Sequence, residues 1–222
     1  PYRSTDDRIE GVVITFVDIT GRKQAAEAVR RSEERQAFLL KLSDALRPLT
    51  DPAAIEGETC RLLAEYLAAY RAYYVEIRAA EDVAVVRQDY ARGDLPSLAG
   101  QYPLSAWGWV LPLYQPGRPV VIADVWQTEL VPEPDRERVA AAHVAWMAIP
   151  FVKEGELVGA LCVAEPKPRA WTTLEVDLAG QTAERIWAAI ERGRAEEQLR
   201  QAKEYAESII DTLHEPLLVL TP

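Results

Sequence analysis

The residues of this chain that could do or hold chemistry are two histidines, two cysteines and a cluster of aromatic rings. His214 lies in the stretch "DTLHEPLLVLTP" over 211–222 and is followed directly by Glu215, which makes its imidazole a candidate nucleophile. Pro216 stands two residues on and ends a helix at His214, so the ring is expected at a helix terminus and not on an exposed helical face. The "LLVL" that follows reads as a strand. His143 precedes an apolar strand and has no second histidine or carboxylate at ligand spacing, so no metal site is expected. It is expected to end a helix and bond a carbonyl, with a ligand contact as the alternative. Cys60 shares a helical face with Leu63 and Leu67 and reads as a core thiol. Cys162 alternates with Ala160 and Ala164 on a small-residue face suited to helix packing, and neither cysteine carries the signs of an activated nucleophile. Tyr102, Trp107, Trp109, Tyr114 and Trp126 fall in one short span, and Trp146 lies on the strand after His143. Aromatic walls with a few polar groups suit a flat or apolar small molecule, unless the rings fill their own cavity. The candidate ligand-binding set is Tyr102, Trp107, Trp109, Trp126, His143 and Trp146, and no catalytic residue is expected.

The elements that must position these groups can be followed along the chain. "EGVVITFVDIT" over 10–20 alternates around Val13, Thr15 and Val17 and predicts a strand. Thr20 is a plausible N-cap for a polar, Ala-rich helix that continues to about Leu46, before Pro48. Its inward positions fit a heptad: Ala25, Ala28, Ser32, Arg35, Leu39, Leu42, Leu46 and Leu49. That pattern predicts a parallel coiled coil between two copies, against the alternative of a helix lying on its own domain. "DPAAIEGETCRLLAEYLAAY" predicts a helix capped by Asp51 with Pro52 at its first position. "RAYYVEIRA" and "DVAVVRQDYA" predict adjacent strands, and the Gly-, Pro- and aromatic-rich stretch up to Pro119 predicts an irregular loop. "VVIADV" predicts a strand and "PEPDRERVAAAH" a short helix. "VAWMAIPFV" and "ELVGALCVAE" predict a hairpin around the turn "KEG". From Trp171 a helix is predicted to about Leu213, with Thr172 and Glu175 in capping-box spacing. Val176, Ala179, Ala183, Ile186 and Ile190 form one seam, and Leu199, Ala202, Ala206, Ile209 and Leu213 another, with a register break near Gly193.

Composition bounds the class. The 222 residues carry 35 acidic against 25 basic side chains, a net charge of −10, which disfavours nucleic acid and anionic membranes as partners. No apolar run approaches the ~20 residues of a membrane span, and no export signal opens the sequence, so a cytoplasmic location is expected. Two cysteines make no disulfide framework. The only methionine is Met147, so the chain is expected to be the middle of a longer protein.

The order helix, two strands, aromatic loop, strand, helix, hairpin, long helix resembles that of a GAF domain from about 37 to 192. "GRPVVIADV", "AHVAWMAIPFVKEGELVGALCVAE" and "RAWTTLEVDLAGQTAERIWAAIERGRAE" carry the resemblance. It implies an α+β fold: a GAF-like antiparallel sheet with helices packed on it, flanked by long N- and C-terminal coiled-coil signalling helices. "DITGRKQAAE" resembles the exit of a PAS domain, and "AKEYAESIIDTLHEPLLVLTP" a linker helix entering another. The implied organisation is a PAS remnant over 1–20, a linker helix over 21–49, a GAF core over 50–170, a long helix over 171–213 and the start of a second PAS domain over 214–222.

Such arrays occur in bacterial multi-sensor histidine kinases, which implies a regulatory segment working as a homodimer, with neighbouring PAS and output domains as partners. The implied dimer residues are Leu39, Leu42, Leu46, Ile186, Ile190, Leu199, Ile209 and Leu213. The alternatives are a ligand-free spacer, and a kinase fragment with His214 as phosphoacceptor. Glu215 meets Pro216 directly, where a phosphoacceptor box sets further residues between them. Bilin-carrying GAF domains commonly attach the pigment through a loop cysteine followed by histidine, and cyclic-nucleotide-binding ones use a motif beginning Asn-Lys. Neither cysteine here fits that placement and the chain has no asparagine, so both ligands are argued against. No cofactor is expected beyond an unidentified small molecule.

Overall fold

A computed structural model describes residues 2–3, 9–11 and 18–214, with side chains over 18–210. The chain divides into two compact units, Pro1–Ala37 and Phe38–Pro222. In the first unit, β1 (Tyr2–Arg3) and β2 (Ile9–Gly11) pair antiparallel. The rest of the strand expected over 10–20 lies outside the described residues. Helix α1 (Thr20–Leu46) starts one residue before expected, because Asp18 and not Thr20 supplies the cap: its carboxylate accepts from the Thr20 N–H at 2.8 Å. Within the first unit this helix is held by local ion pairs, Arg30 reaching Glu27 and Glu34 at 2.6 Å each.

The second unit holds a sheet whose hydrogen-bonded path runs β6-β4-β3-β9-β8-β7. Its strands are β3 (Arg71–Arg78), β4 (Val83–Val86), β5 (Asp89–Ala91), β6 (Gly100–Pro103), β7 (Val120–Ile122), β8 (Ala145–Lys153) and β9 (Glu156–Glu165), and every pairing is antiparallel. The single strand expected from "DVAVVRQDYA" is two: β4 pairs with the second half of β3 and β5 with its first half. Arg87, between them, leaves the ladder to meet Glu76 and Glu56, the latter at 2.5 Å. The hairpin β8–β9 turns at Glu154 and Gly155, whose φ values of 52° and 85° make the left-handed pair that a two-residue turn requires.

Two layers lie on this sheet. On one face pack Phe38, Leu39, Leu42 and Leu46 of α1, helix α2 (Pro52–Tyr66) and the first part of α5 (Thr173–His214), meeting Tyr74, Met147, Phe151, Leu161 and Val163. Asp51 caps α2 as expected, accepting from the Ala54 N–H at 2.9 Å. Thr172 and Glu175 close the capping box of α5: the Thr172 N–H donates to the Glu175 carboxylate at 2.7 Å and the Glu175 N–H to the Thr172 hydroxyl at 3.3 Å. The other face is roofed by the 104–114 segment, containing α3 (Leu111–Tyr114), and by α4 (Arg136–Ala142).

Five residues expected at a dimer seam are buried in this core: Leu39 at 7% exposure, Leu42 at 0%, Leu46 at 3%, Ile186 at 0% and Ile190 at 0%. A heptad pattern states that a face must be covered but not by what, and here the protomer covers it. The register break near Gly193 is also reinterpreted. A side chain there would sit 2.3 Å from the Thr50 carbonyl oxygen, so glycine is what lets α5 approach the turn before α2. Arg192 donates beside it to the Leu46 and Leu49 carbonyls at 2.8 and 2.9 Å, and Arg194 to Glu76 at 3.2 Å. Beyond this anchor every side chain from 195 to 210 is exposed, Leu199 (71%) and Ile209 (41%) among them. The side chains of Leu213 and His214, and the strand expected after them, lie outside the described residues. No helix among the described residues is long and apolar enough to cross a membrane.

Candidate functional site

The roofed face of the sheet encloses a cavity of about 130 Å³. Its floor is set by strand alternation: Tyr73, Val75 and Ile77 of β3 face it, as do Ala84 and Val86 of β4, Trp146 of β8 and Cys162 of β9. Its roof is the aromatic segment, with Leu104, Trp107, Trp109, Val110, Leu111 and Tyr114, and its far wall is Val139, Ala142 and His143 at the end of α4. The roof is tied down by Arg138, which donates to the Ala106 carbonyl at 2.7 Å and stacks 4.2 Å from the Trp107 ring centre. The approach to β6 is pinned by the buried pair of Arg71 and Asp89 at 2.7 Å. Asp89 also accepts from Ser97 and from the Leu98 N–H, at 2.5 and 3.0 Å, and Arg71 also donates to the Pro96 carbonyl at 2.7 Å.

Of the six residues expected to meet a ligand, Tyr102, Trp107, Trp109, His143 and Trp146 line this cavity. Trp126 does not: its backbone N–H donates to the Asp124 carboxylate at 2.9 Å in a tight turn, and the residue is 52% exposed. Tyr73, Val75, Ile77 and Cys162 were missed, although the alternation in "RAYYVEIRA" marks the first three as one face. Cys162 and its neighbours Ala160 and Ala164 do form one small-residue face, but it looks into the roofed side, while Leu161 and Val163 meet the helices. Cys60 is buried on the helix side, as expected.

The polar groups of the cavity sort into two kinds. Tyr73 and Tyr114 lie beside the Cys162 thiol and lower its pKa, Trp146 lies beside the Tyr114 hydroxyl, and Tyr102 donates to the Leu98 carbonyl at 2.7 Å. Burial pushes the Cys162 thiol up to about 12 although Tyr73 and Tyr114 beside it act to lower it, so it stays neutral. Two atoms are left over: Trp109 Nε1 and His143 Nδ1 are buried without a partner. His143 ends α4 and bonds a carbonyl as expected, though it does so through its backbone and not its ring. Its backbone N–H ends α4 on the Val139 carbonyl at 2.9 Å, while its ring stands edge-on to Trp146 with centres 4.8 Å apart. Burial, and secondarily the Arg71 charge, pulls the imidazole down to about 4, so it is neutral at pH 7. Among the described residues no His, Cys, Asp and Glu side chains are grouped to hold a metal ion.

The sequence matches the GAF domain family over residues 51–190. No curated protein matches it. Among solved structures it is similar to a far-red absorbing dark state with bound biliverdin IXa, at 16% identity and a TM-score of 0.60, covering 71% of this chain and 99% of that one. The blue-light absorbing form of the Thermosynechococcus elongatus PixJ GAF domain is similar at 19% identity and a TM-score of 0.56, covering 69% and 94%. The free methionine-R-sulfoxide reductase of Neisseria meningitidis, in complex with its substrate, is similar at 15% identity and a TM-score of 0.57, covering 72% and 90%. At these identities the likeness is one of fold. It corrects one expectation: the argument against a bilin rested on where a cysteine sits, yet the same fold holds biliverdin in a solved chain, so that argument is withdrawn.

Proposed function

The chain belongs to the GAF domain family, and on that premise we propose that it is a non-catalytic sensor segment of a bacterial signalling protein. Its sheet cavity takes a small molecule, two copies pair along α5, and the helix passes the state of the cavity to an output domain, a histidine kinase, in the same polypeptide. PAS domains flank it on both sides in this reading. Six buried side-chain polar atoms lack a partner among the described residues, and the observation that carries the sensor function is that two of them, Trp109 Nε1 and His143 Nδ1, belong to residues lining one apolar cavity. Buried polar groups are nearly always satisfied, so two orphans at one cavity point to a group supplied from outside. The solved chains with biliverdin or a substrate bound support the same use of the fold.

Pairing is supported by the bare helix after Gly193. All 16 residues over 195–210 are exposed, and Leu199 and Ile209 supply an apolar seam for a second copy. Leu39, Leu42, Leu46, Ile186 and Ile190 take no part in that seam. A ligand-free spacer is the second reading, favoured by how little volume the rings leave open. Native mass spectrometry of the 222-residue chain reads subunit count and retained small molecules together. A dimer that Leu199→Lys with Ile209→Lys converts to monomer supports the reading, and a monomer at micromolar concentration removes the helical relay.

A further inference from the structure

We propose that the occupant of this cavity is a single neutral aromatic ring bearing one hydroxyl group, a phenol-class molecule; the inference rests on the sensor reading above. Size comes first. The cavity holds about 130 Å³, close to the ~150 Å³ apolar cavity that takes one benzene ring. Walls come second. Tyr73, Trp107, Trp109 and Trp146 offer ring faces and edges, the geometry that an aromatic guest matches best.

Charge comes third. An ionised guest would lose its hydration in this apolar site and needs a counter-charge to offset the loss. Arg71, whose charge acts on His143, is already paired with Asp89, and the imidazole itself is neutral. A carboxylate or an ammonium is therefore rejected, and a neutral guest is admitted.

The hydroxyl follows from the two orphan atoms. Trp109 Nε1 can only donate. A neutral imidazole with its proton on Nε2 accepts at Nδ1. Both rings neighbour Trp146, with centres 6.4 Å and 4.8 Å from it. A hydroxyl both accepts and donates, so it is the single group whose chemistry matches both atoms. An ether or ketone satisfies one of them, and a hydrocarbon neither. Of the other polar side chains at the cavity, Tyr102 donates to the Leu98 carbonyl, and Tyr73, Tyr114 and Cys162 neighbour one another.

The test is calorimetry and ¹⁵N-indole NMR on the full 222-residue chain with phenol, toluene, benzoate and biliverdin. Phenol is expected to bind once per protomer and to shift one indole N–H signal, assigned to Trp109 by its absence in Trp109→Phe. Toluene is expected to bind roughly tenfold more weakly, since two hydrogen bonds are lost. Trp109→Phe removes wall area from both guests and one hydrogen bond from phenol alone, so it is expected to weaken phenol about fivefold more than toluene, a difference that general loosening would not produce. Equal affinities for phenol and toluene, or an unmoved indole signal, overturn the hydroxyl assignment, and both are read on the wild type should the variant not fold. Benzoate or biliverdin taken in preference overturns the ligand class and leaves the sensor reading standing. Failure of all four to bind, with nothing retained in native mass spectra, overturns both.

Discussion

Replacing Gly193 with alanine separates two opposite expectations for one substitution. An ordinary glycine inside a helix costs about 1 kcal/mol relative to alanine, so the change should stabilise. Here the added Cβ lands 2.3 Å from the Thr50 carbonyl oxygen, 3.1 Å from its carbonyl carbon and 3.4 Å from its Cα. That is roughly 1 Å inside van der Waals contact, and the neighbours are backbone that cannot rotate away. Overpacking of this kind costs ~1–3 kcal/mol. Moving α5 outward also stretches the two Arg192 hydrogen bonds to Leu46 and Leu49, at ~1 kcal/mol each. Set against the helix-propensity gain, Gly193→Ala is expected to lose ~2–4 kcal/mol net, a fall in Tm of at least roughly 4–8 °C for a chain of this size. Gly180, in the same helix, meets nothing within 4 Å and is the control. Gly180→Ala is expected to gain ~0.5–1 kcal/mol. Thermal melts of both variants under one buffer decide it. If Gly193→Ala stabilises as Gly180→Ala does, the close approach of α5 to the Thr50 turn is wrong, and with it the anchor from which the distal helix departs.

Three further outcomes are expected. Acid should destabilise the protein through His143. Its folded value of about 4 lies below the ordinary ~6.5, so the unfolded chain binds more protons between them; the stability is complete above pH 6.5 and is lost as pH falls toward 4, by about 3 kcal/mol. Glu56, pushed up to about 7 by burial despite Arg87, works in the opposite direction. The readout is therefore the difference between wild type and His143→Leu across pH 4–7 in urea melts; a flat difference refutes the buried neutral imidazole. Asp89→Ala strands the buried Arg71 charge and should cost ~3–5 kcal/mol at an unchanged m-value, whereas a loss under 1 kcal/mol would mean the pair is hydrated. The double lysine substitution at Leu199 and Ile209 should halve the mass seen by light scattering without lowering the Tm of the body, because both side chains are exposed.

The parts of the fold that were legible in the sequence are those decided within a few residues. The Asp51-Pro52 start of α2, the Thr172–Glu175 box and the Glu154-Gly155 turn are local hydrogen-bond and backbone problems, and each formed as expected. What failed was any question of which partner covers a face. Leu39, Leu42 and Leu46 carry the right periodicity, but that periodicity is the same whether the cover is a second chain or α5. Cys162 was given its correct neighbours and the wrong layer, since alternation separates two faces without naming them. Trp126 belongs to the aromatic span by position, and the Asp124 turn alone directs it outward. The two orphan atoms were not legible at all. They depend on where the roof and the end of α4 come to rest over the sheet, which no local pattern encodes.

The proposed relay has a short physical path. In β3, Tyr73 faces the cavity while the adjacent Tyr74 faces the helices; in β8, Trp146 and Met147 divide in the same way. Tyr74 contacts Phe151 with ring centres 5.6 Å apart, and Phe151 stacks on Trp187 of α5 at 5.7 Å. Glu76, two residues along the same face of β3, holds Arg194 beside the Gly193 anchor. A displacement at the cavity floor therefore reaches α5 through one strand thickness, at Trp187 and at Arg194. Such a path transmits a signal only if the guest binds one packing of α5 better than another, and a tenfold preference, about 1.4 kcal/mol, is comparable to a single one of these contacts. The distal helix need not be pushed far. In the proposed relay, releasing the carbonyls of Leu46 and Leu49 from Arg192 would free residues 195–210 to leave the body at another angle.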